Sequence, residues 1–258
     1  MKKGIIVVSF GTSYEKTRKL CIESIENRIK EQYKDYLVLR AFTSQMVINK
    51  LKKRDNYIVD NPREALEKMK EEKIEEIYIQ PLHIILGHEY EKLLGQVEEF
   101  IEENHNFSIK VGKPLLYEDT DYHKAVGGLE LSDMGEKEAI IFMGHGTNHE
   151  VDISYEKLEK VFREKGHENV YIGTVEGKIT IEDIISKLKS NDIEKIILRP
   201  FMLVAGDHAI NDMASEDEDS WASILKSNGF DVESQIKGLG EIEAIQNIYL
   251  EHLEAILN

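Results

Sequence analysis

The sequence predicts an α/β fold of two similar halves, each a parallel sheet flanked by helices, and three observations carry that expectation. Residues 4–15 read GIIVVSFGTSYE and residues 139–150 read AIIFMGHGTNHE, two apolar runs that both end in Gly-Thr-x-x-Glu. Residues 74–87, IEEIYIQPLHIILG, match residues 193–206, IEKIILRPFMLVAG, at five places, and two of the four prolines of the chain, Pro81 and Pro200, fall in register. Between these landmarks, short apolar runs alternate with helical patterns, as parallel βαβ units require. The duplication assigns one architecture to both halves, 1–120 and 136–258, joined by the stretch 127–136 with its three glycines. The final helix is free to pack back on the first half.

In chain order, the run 4–10 is the first strand, β-rich enough to be buried on both faces. Gly11 permits a tight strand-to-helix turn, and Thr12 with Glu15 has capping-box spacing, so a helix is expected over 13–33. A strand follows at 36–42. Residues 45–61 are extra relative to the second half and carry Lys50, Lys52, Lys53 and Arg54, the densest basic cluster of the chain. Such a cluster is either a solvated helix face or an anion site. A helix over 62–72, the strand that opens the 74–87 match and a strand at 109–116 complete the first half. The second repeats the plan, with Gly146, a Thr147–Glu150 spacing and strands at 170–175 and 232–236.

Composition removes several functions. Lys and Arg number 33 against 49 Asp and Glu, a net charge of −16, which disfavours a nucleic-acid backbone or an anionic membrane as main partner. Cys21 is the only cysteine, which rules out an internal disulfide and Cys-based zinc or iron–sulfur clusters and fits a reducing cytoplasm. The run after Met1 is too short for a signal peptide, and no apolar stretch nears the ~20 residues of a spanning helix. Gly-x-x-x-x-Gly-Lys-Ser/Thr, Gly-x-Gly-x-x-Gly and Gly-x-Ser-x-Gly motifs are all missing.

In open parallel sheets, ligands bind beyond the carboxyl ends of the strands. Three such ends carry His145, Glu176 and His208, and two neutral imidazoles with a carboxylate suit a divalent transition metal with open positions. Asp207 and Glu150 compete as ligands, whereas His149 is expected to point elsewhere. His83 and His88 lie at the rim of the first half, where Glu89 stands opposite His208 in the repeat. His105, His123, His167 and His252 sit in polar surroundings and are expected at the surface. The acidic run 216–219 reads as a solvated loop.

These residues carry a resemblance that runs nearly end to end. VVSFGTSYEKT at 7–17, RAFTSQMVINKLKKRD at 40–55, QPLHIILGHEYEK at 80–92, FMGHGTNH at 142–149 and PFMLVAGDHAINDMASEDEDSW at 200–221 resemble the class II chelatases of tetrapyrrole biosynthesis. Within them they resemble the anaerobic sirohydrochlorin cobaltochelatases. The resemblance implies two Rossmann-like, chelatase-type halves with the active-site cleft between them, and a lyase that inserts Co²⁺ into sirohydrochlorin without ATP in cobalamin biosynthesis. Nickel- or iron-inserting relatives, or a non-catalytic metal or tetrapyrrole carrier, are the alternatives. It implies a metal site at His145, Glu176 and His208, with His145, His208 and Glu89 as catalytic residues. Ser9, Phe10, Gly11, Thr12, Ser13, Leu82, His83 and His88 would contact the ring. His88 departs from the smaller polar or acidic residue that can stand before Glu89. No cofactor beyond the substrate metal is implied, and a homo-oligomer is left open.

Overall fold

The computed structural model describes residues 2–131 and 134–258. Strands β1 (Lys3–Ser9), β2 (Tyr36–Phe42), β3 (Glu76–Pro81) and β4 (Ser108–Val111) form one parallel sheet in the order β2-β1-β3-β4. Strands β5 (Glu138–Gly144), β6 (Val170–Thr174), β7 (Lys195–Pro200) and β8 (Asp231–Ser234) form a second, in the order β6-β5-β7-β8. The order reverses at the same place in both, which is the α/β architecture of two like halves that the repeats predict.

Helices connect the strands. In the first half, α1 (Glu15–Thr17) runs through a π turn at Arg18–Glu23 into α2 (Ser24–Gln32), and α3 (Gln45–Asp55), α4 (Pro62–Glu71), α5 (His88–Glu103) and α6 (Asp119–Gly128) follow. The second half has α7 (Ile153–Glu164), α8 (Ile181–Ser190), α9 (Trp221–Ser227) and α10 (Glu243–Leu257). None of these helices is long and apolar enough to cross a membrane.

The repeated proline has a common structural meaning. Pro81 pairs with Val8, and Pro200 pairs with Met143; proline lacks an N–H, so the ladder resumes only one residue later. There the Leu82 N–H donates to the Val8 carbonyl, and the Phe201 N–H to the Met143 carbonyl, both at 2.7 Å. Both first strands therefore end at the same level beside their neighbours.

Alternation along the strands builds three apolar layers. Ile6 and Val8 face outward with Ile77 and Ile79 beneath α4 and α5. Ala139, Ile141 and Met143 face outward beneath α8 and α9. Ile5 and Val7, with Ile140 and Phe142, face one shared inner layer that also takes in α7 and α10. The last helix crosses to the first half: Tyr249 donates to the Leu82 carbonyl at 3.2 Å, and His252 lies between Asp121 Oδ1 (3.1 Å) and the Lys113 carbonyl (3.2 Å). His252 is thus buried rather than exposed, because α10 turns it inward onto Asp121. His105 and His123 are exposed, and His167 is half-buried.

Several local expectations change. Thr12 and Thr147 do not form capping boxes: their hydroxyls accept from the N–H two residues on, Tyr14 at 3.2 Å and His149 at 3.1 Å. A short side chain so close to a positive-φ glycine closes a local turn before the helix can begin. Capping boxes form instead at Asn61–Glu64 and Thr180–Asp183. The extended run 109–116 leaves the sheet at Gly112, and the Leu115 and Leu116 N–H groups then donate to the His83 and Ile84 carbonyls.

One buried ion pair ties α2 to β2. Glu26, 2% exposed, accepts from Arg40 Nε at 2.7 Å and Nη2 at 2.5 Å, while Glu23 stands 3.3 Å from the same guanidinium. Replacing Glu26 by Ala is expected to cost about 1.5–3 kcal/mol, since a charged hydrogen-bond acceptor is lost from a buried donor. A urea melt checks this, and an unchanged midpoint would show that Glu23 compensates fully.

Candidate active site

The carboxyl edges of the two sheets face one another, and side chains bridge the gap. Tyr14, beyond β1, donates to Asp207 Oδ1, beyond β7, at 2.7 Å. The Asp207 carboxylate in turn holds the Tyr14 hydroxyl above its ordinary pKa.

Sequence forces the second-half turn. After β5 the chain reverses at Gly146, whose φ is +77° and where a Cβ would lie 2.4 Å from the Gly177 nitrogen. Only glycine allows both the left-handed backbone and this approach. The equivalent Gly11 has φ +95° and meets the Phe42 ring. The close approach aligns the two loops: the Glu176 N–H donates to the His145 carbonyl at 2.8 Å. Asp152, 2% exposed, pins both, accepting from the Thr147 N–H at 3.1 Å through Oδ1 and from the Lys178 N–H at 2.9 Å through Oδ2.

His145 and His208 come together as perpendicular rings with centroids 4.8 Å apart. Each has its Nδ1 engaged. His145 Nδ1 lies 2.9 Å from the Gly146 carbonyl, and His208 Nδ1 lies 2.5 Å from Asp212 Oδ2. With the Nδ1–H donating, both Nε2 atoms keep their lone pairs, which is the tautomer a metal-ligating imidazole needs. Asp212 reaches His208 because a π turn at Ala209–Met213 begins directly after that histidine. Glu176 stands on the other side of His145, its Oε2 3.9 Å from Nδ1, and is well exposed. The structure thus joins the two histidines closely and leaves Glu176 alongside them. His149 turns toward the first half and Glu91.

The first-half edge has a different character. Ser9, Thr12, Ser13 and Leu82 are buried, Gly11 is buried in the turn, and Phe10 presents 42% of its surface. Ser9 Oγ, Thr43 Oγ1 and both ring nitrogens of His83 are buried and make no hydrogen bond to another protein group. Lys92 Nζ stands 3.7 Å from Glu89 Oε2 and donates to the Thr43 carbonyl. His88 lies exposed at the rim against Asn148. The basic cluster splits: Arg54 donates to the Ser13 carbonyl and Lys50 lies 5.9 Å from the Tyr14 ring, while Lys52 and Lys53 are exposed.

Sequence reasoning missed Asp152, Asp212 and Tyr14. The i, i+4 spacing of Asp212 from His208 was a signal; the other two act through contacts distant in sequence.

Known proteins match this chain along its length. A family model described as cobalt chelatase (CbiK) matches residues 3–258. A sirohydrochlorin cobaltochelatase of Salmonella typhimurium is 36% identical over 260 residues, covering 100% of this chain and 97% of that one. The sirohydrochlorin cobaltochelatase CbiKC of Nitratidesulfovibrio vulgaris is 34% identical over 265 residues, covering 100% and 91%. Among solved structures, SirB from Bacillus subtilis with Fe3+ superposes with a TM-score of 0.71 at 14% identity, covering 98% of this chain and 95% of that chain. SirB from Bacillus subtilis subspecies spizizenii in complex with cobalt gives 0.65 at 12% identity, covering 98% and 94%. At such identities the structures speak for the fold.

Burial pushes the His83 imidazole down from its ordinary 6.5 to about 4. The folded chain therefore keeps the ring neutral where the unfolded chain takes up a proton, so stability falls as pH drops from about 6.5 toward about 4. The ring resonances of His83 are expected to stay unchanged in NMR spectra between about pH 8 and 5.5. A midpoint near the ordinary value would show that the ring is hydrated.

Proposed function

The chain belongs to the cobalt chelatase (CbiK) family, and from that premise we propose how its two edges divide the work of metal insertion. The protein is a sirohydrochlorin cobaltochelatase, a lyase-class enzyme that places cobalt in a tetrapyrrole for cobalamin biosynthesis. Cobalt and sirohydrochlorin are its substrates. The observation that carries the mechanistic reading is the pair of adjacent imidazoles, each with its Nδ1 held by an oxygen.

In this reading residues 1–120 seat the ring and residues 136–258 deliver the metal. His208, oriented by Asp212, anchors Co²⁺ through Nε2. Glu176 swings in from its exposed position to lower the charge of the ion. Insertion replaces two pyrrole N–H protons by metal–nitrogen bonds, so two protons must leave as the ion enters. His145 takes the first through Nε2 once it releases the metal, since one lone pair cannot serve both purposes at once. Glu89, at the first-half edge beside Lys92, receives the second. Ser9, Phe10, Gly11, Thr12, Ser13, Leu82, His83 and His88 contact the macrocycle, Phe10 through its exposed ring. No step needs a nucleotide. The selection of Co²⁺ over Ni²⁺ or Fe²⁺ rests on geometry and supply, because nitrogen ligands bind nickel at least as well. The single cysteine, Cys21, fits a reducing cytoplasm as the setting of the reaction.

The visible spectrum of sirohydrochlorin mixed with Co²⁺ and the protein reports the reaction. Replacing His145 or His208 by Ala is expected to lower kcat by about 10²–10⁴-fold; near-normal turnover in both variants would place the chemistry elsewhere. Because sirohydrochlorin carries several carboxylates, reversing the charge of Lys50 or Arg54 should raise KM, more at low salt than at high salt. The same change at Lys52 and Lys53 should have a smaller effect, and an equal effect in all four would show that only net charge matters.

A further inference from the structure

A second cluster of metal-competent side chains stands apart from the His145–His208 pair. Among the described residues, His88, Glu91 and His149 offer ligand atoms that all lie within 4.8 Å of one another. They come from both halves: His88 and Glu91 lie one turn apart at the start of α5, and His149 lies in the loop before α7. Glu91 sits between the rings, its Oε1 3.1 Å from His149 Nε2 and its Oε2 3.5 Å from His88 Nδ1. The rings meet edge to face with centroids 5.0 Å apart.

Outer contacts fix both rings. His88 Nε2 donates to Asn148 Oδ1 at 2.8 Å, which leaves the Nδ1 lone pair directed toward Glu91. His149 Nδ1 accepts from the Val151 N–H at 3.2 Å, so its Nε2 carries the proton that is given to Glu91. Donation from the remote nitrogen, as His88 makes to Asn148, is a regular property of metal-ligating imidazoles.

We propose that His88, Glu91 and His149 form a second divalent-cation site that clasps the two halves at the rim of the cleft. Two imidazoles and one carboxylate favour Zn²⁺, Co²⁺ or Ni²⁺ over the oxygen-seeking Mg²⁺ and Ca²⁺. His88 and Glu91 are 60% and 54% exposed in their side chains, so water completes the coordination and the ion exchanges with solvent. Loading moves the His149 proton from Nε2 to Nδ1 by exchange with water, so Nδ1 no longer accepts from the Val151 N–H, which is the local cost. The return is chelation by groups from both halves, so the ion binds the folded, joined halves and stabilises them increasingly as its free concentration rises above its Kd. The site shares no residue with His145, Glu176 or His208.

The test uses Co²⁺ alone, without tetrapyrrole, so its failure would leave the insertion reading untouched. In the full chain with His145→Ala and His208→Ala combined, equilibrium dialysis is expected to retain one Co²⁺ per chain, with a melting temperature that rises with added Co²⁺. Adding Glu91→Gln or His149→Ala should weaken that binding at least about tenfold and remove the thermal shift. Glu91→Gln keeps the shape of the side chain and decides the matter should His149→Ala disturb folding. Absence of retained cobalt in the double variant, or equal retention after Glu91→Gln, overturns the proposal.

Discussion

Ile5 and Val7 of β1 and Ile140 and Phe142 of β5 enter the same apolar layer, so neither sheet can slide without exposing the inner face of the other. Burial of each such side chain is worth roughly 1.5–3 kcal/mol, and α10 adds Ile245, Ile248, Tyr249 and Leu253 to the same layer. This shared core fixes the two carboxyl edges opposite each other. Every contact across the gap depends on it: Tyr14 with Asp207, His88 with Asn148 and His149 with Glu91.

The two edges start from one backbone plan and carry unlike chemistry. Both first strands stop level with a proline and turn through a positive-φ glycine. In the first half this turn is lined by hydroxyls and by polar atoms that lack partners; in the second it presents two oriented imidazoles. Asp152 keeps the second edge stiff by bonding two loops at once, which leaves His145 and Glu176 little backbone freedom.

The duplicated segments were enough to place the strand ends, because apolar alternation and turn glycines are local signals. His145 and His208 could be paired from sequence for that reason. What sequence could not disclose was contact between distant residues. His252 looked polar and exposed until α10 laid it against Asp121. Thr12 and Thr147 had capping spacing, but a short hydroxyl next to a glycine turn satisfies the nearest N–H instead. The cross-half trio of His88, Glu91 and His149 offered only the i, i+3 spacing of its first two members, since His149 lies more than fifty residues away and no spacing rule links it to them.

The matched proline register has a further consequence for how such a protein can change over time. Because Val8–Pro81 and Met143–Pro200 set a common level, each position at one edge has a definite counterpart at the other, such as Phe10 for His145 and Glu89 for His208. Laying one half over the other cancels the scaffold and leaves the side chains in which the two edges differ. A gene of this kind holds an internal control: its second copy records what the first would look like without its own specialisation.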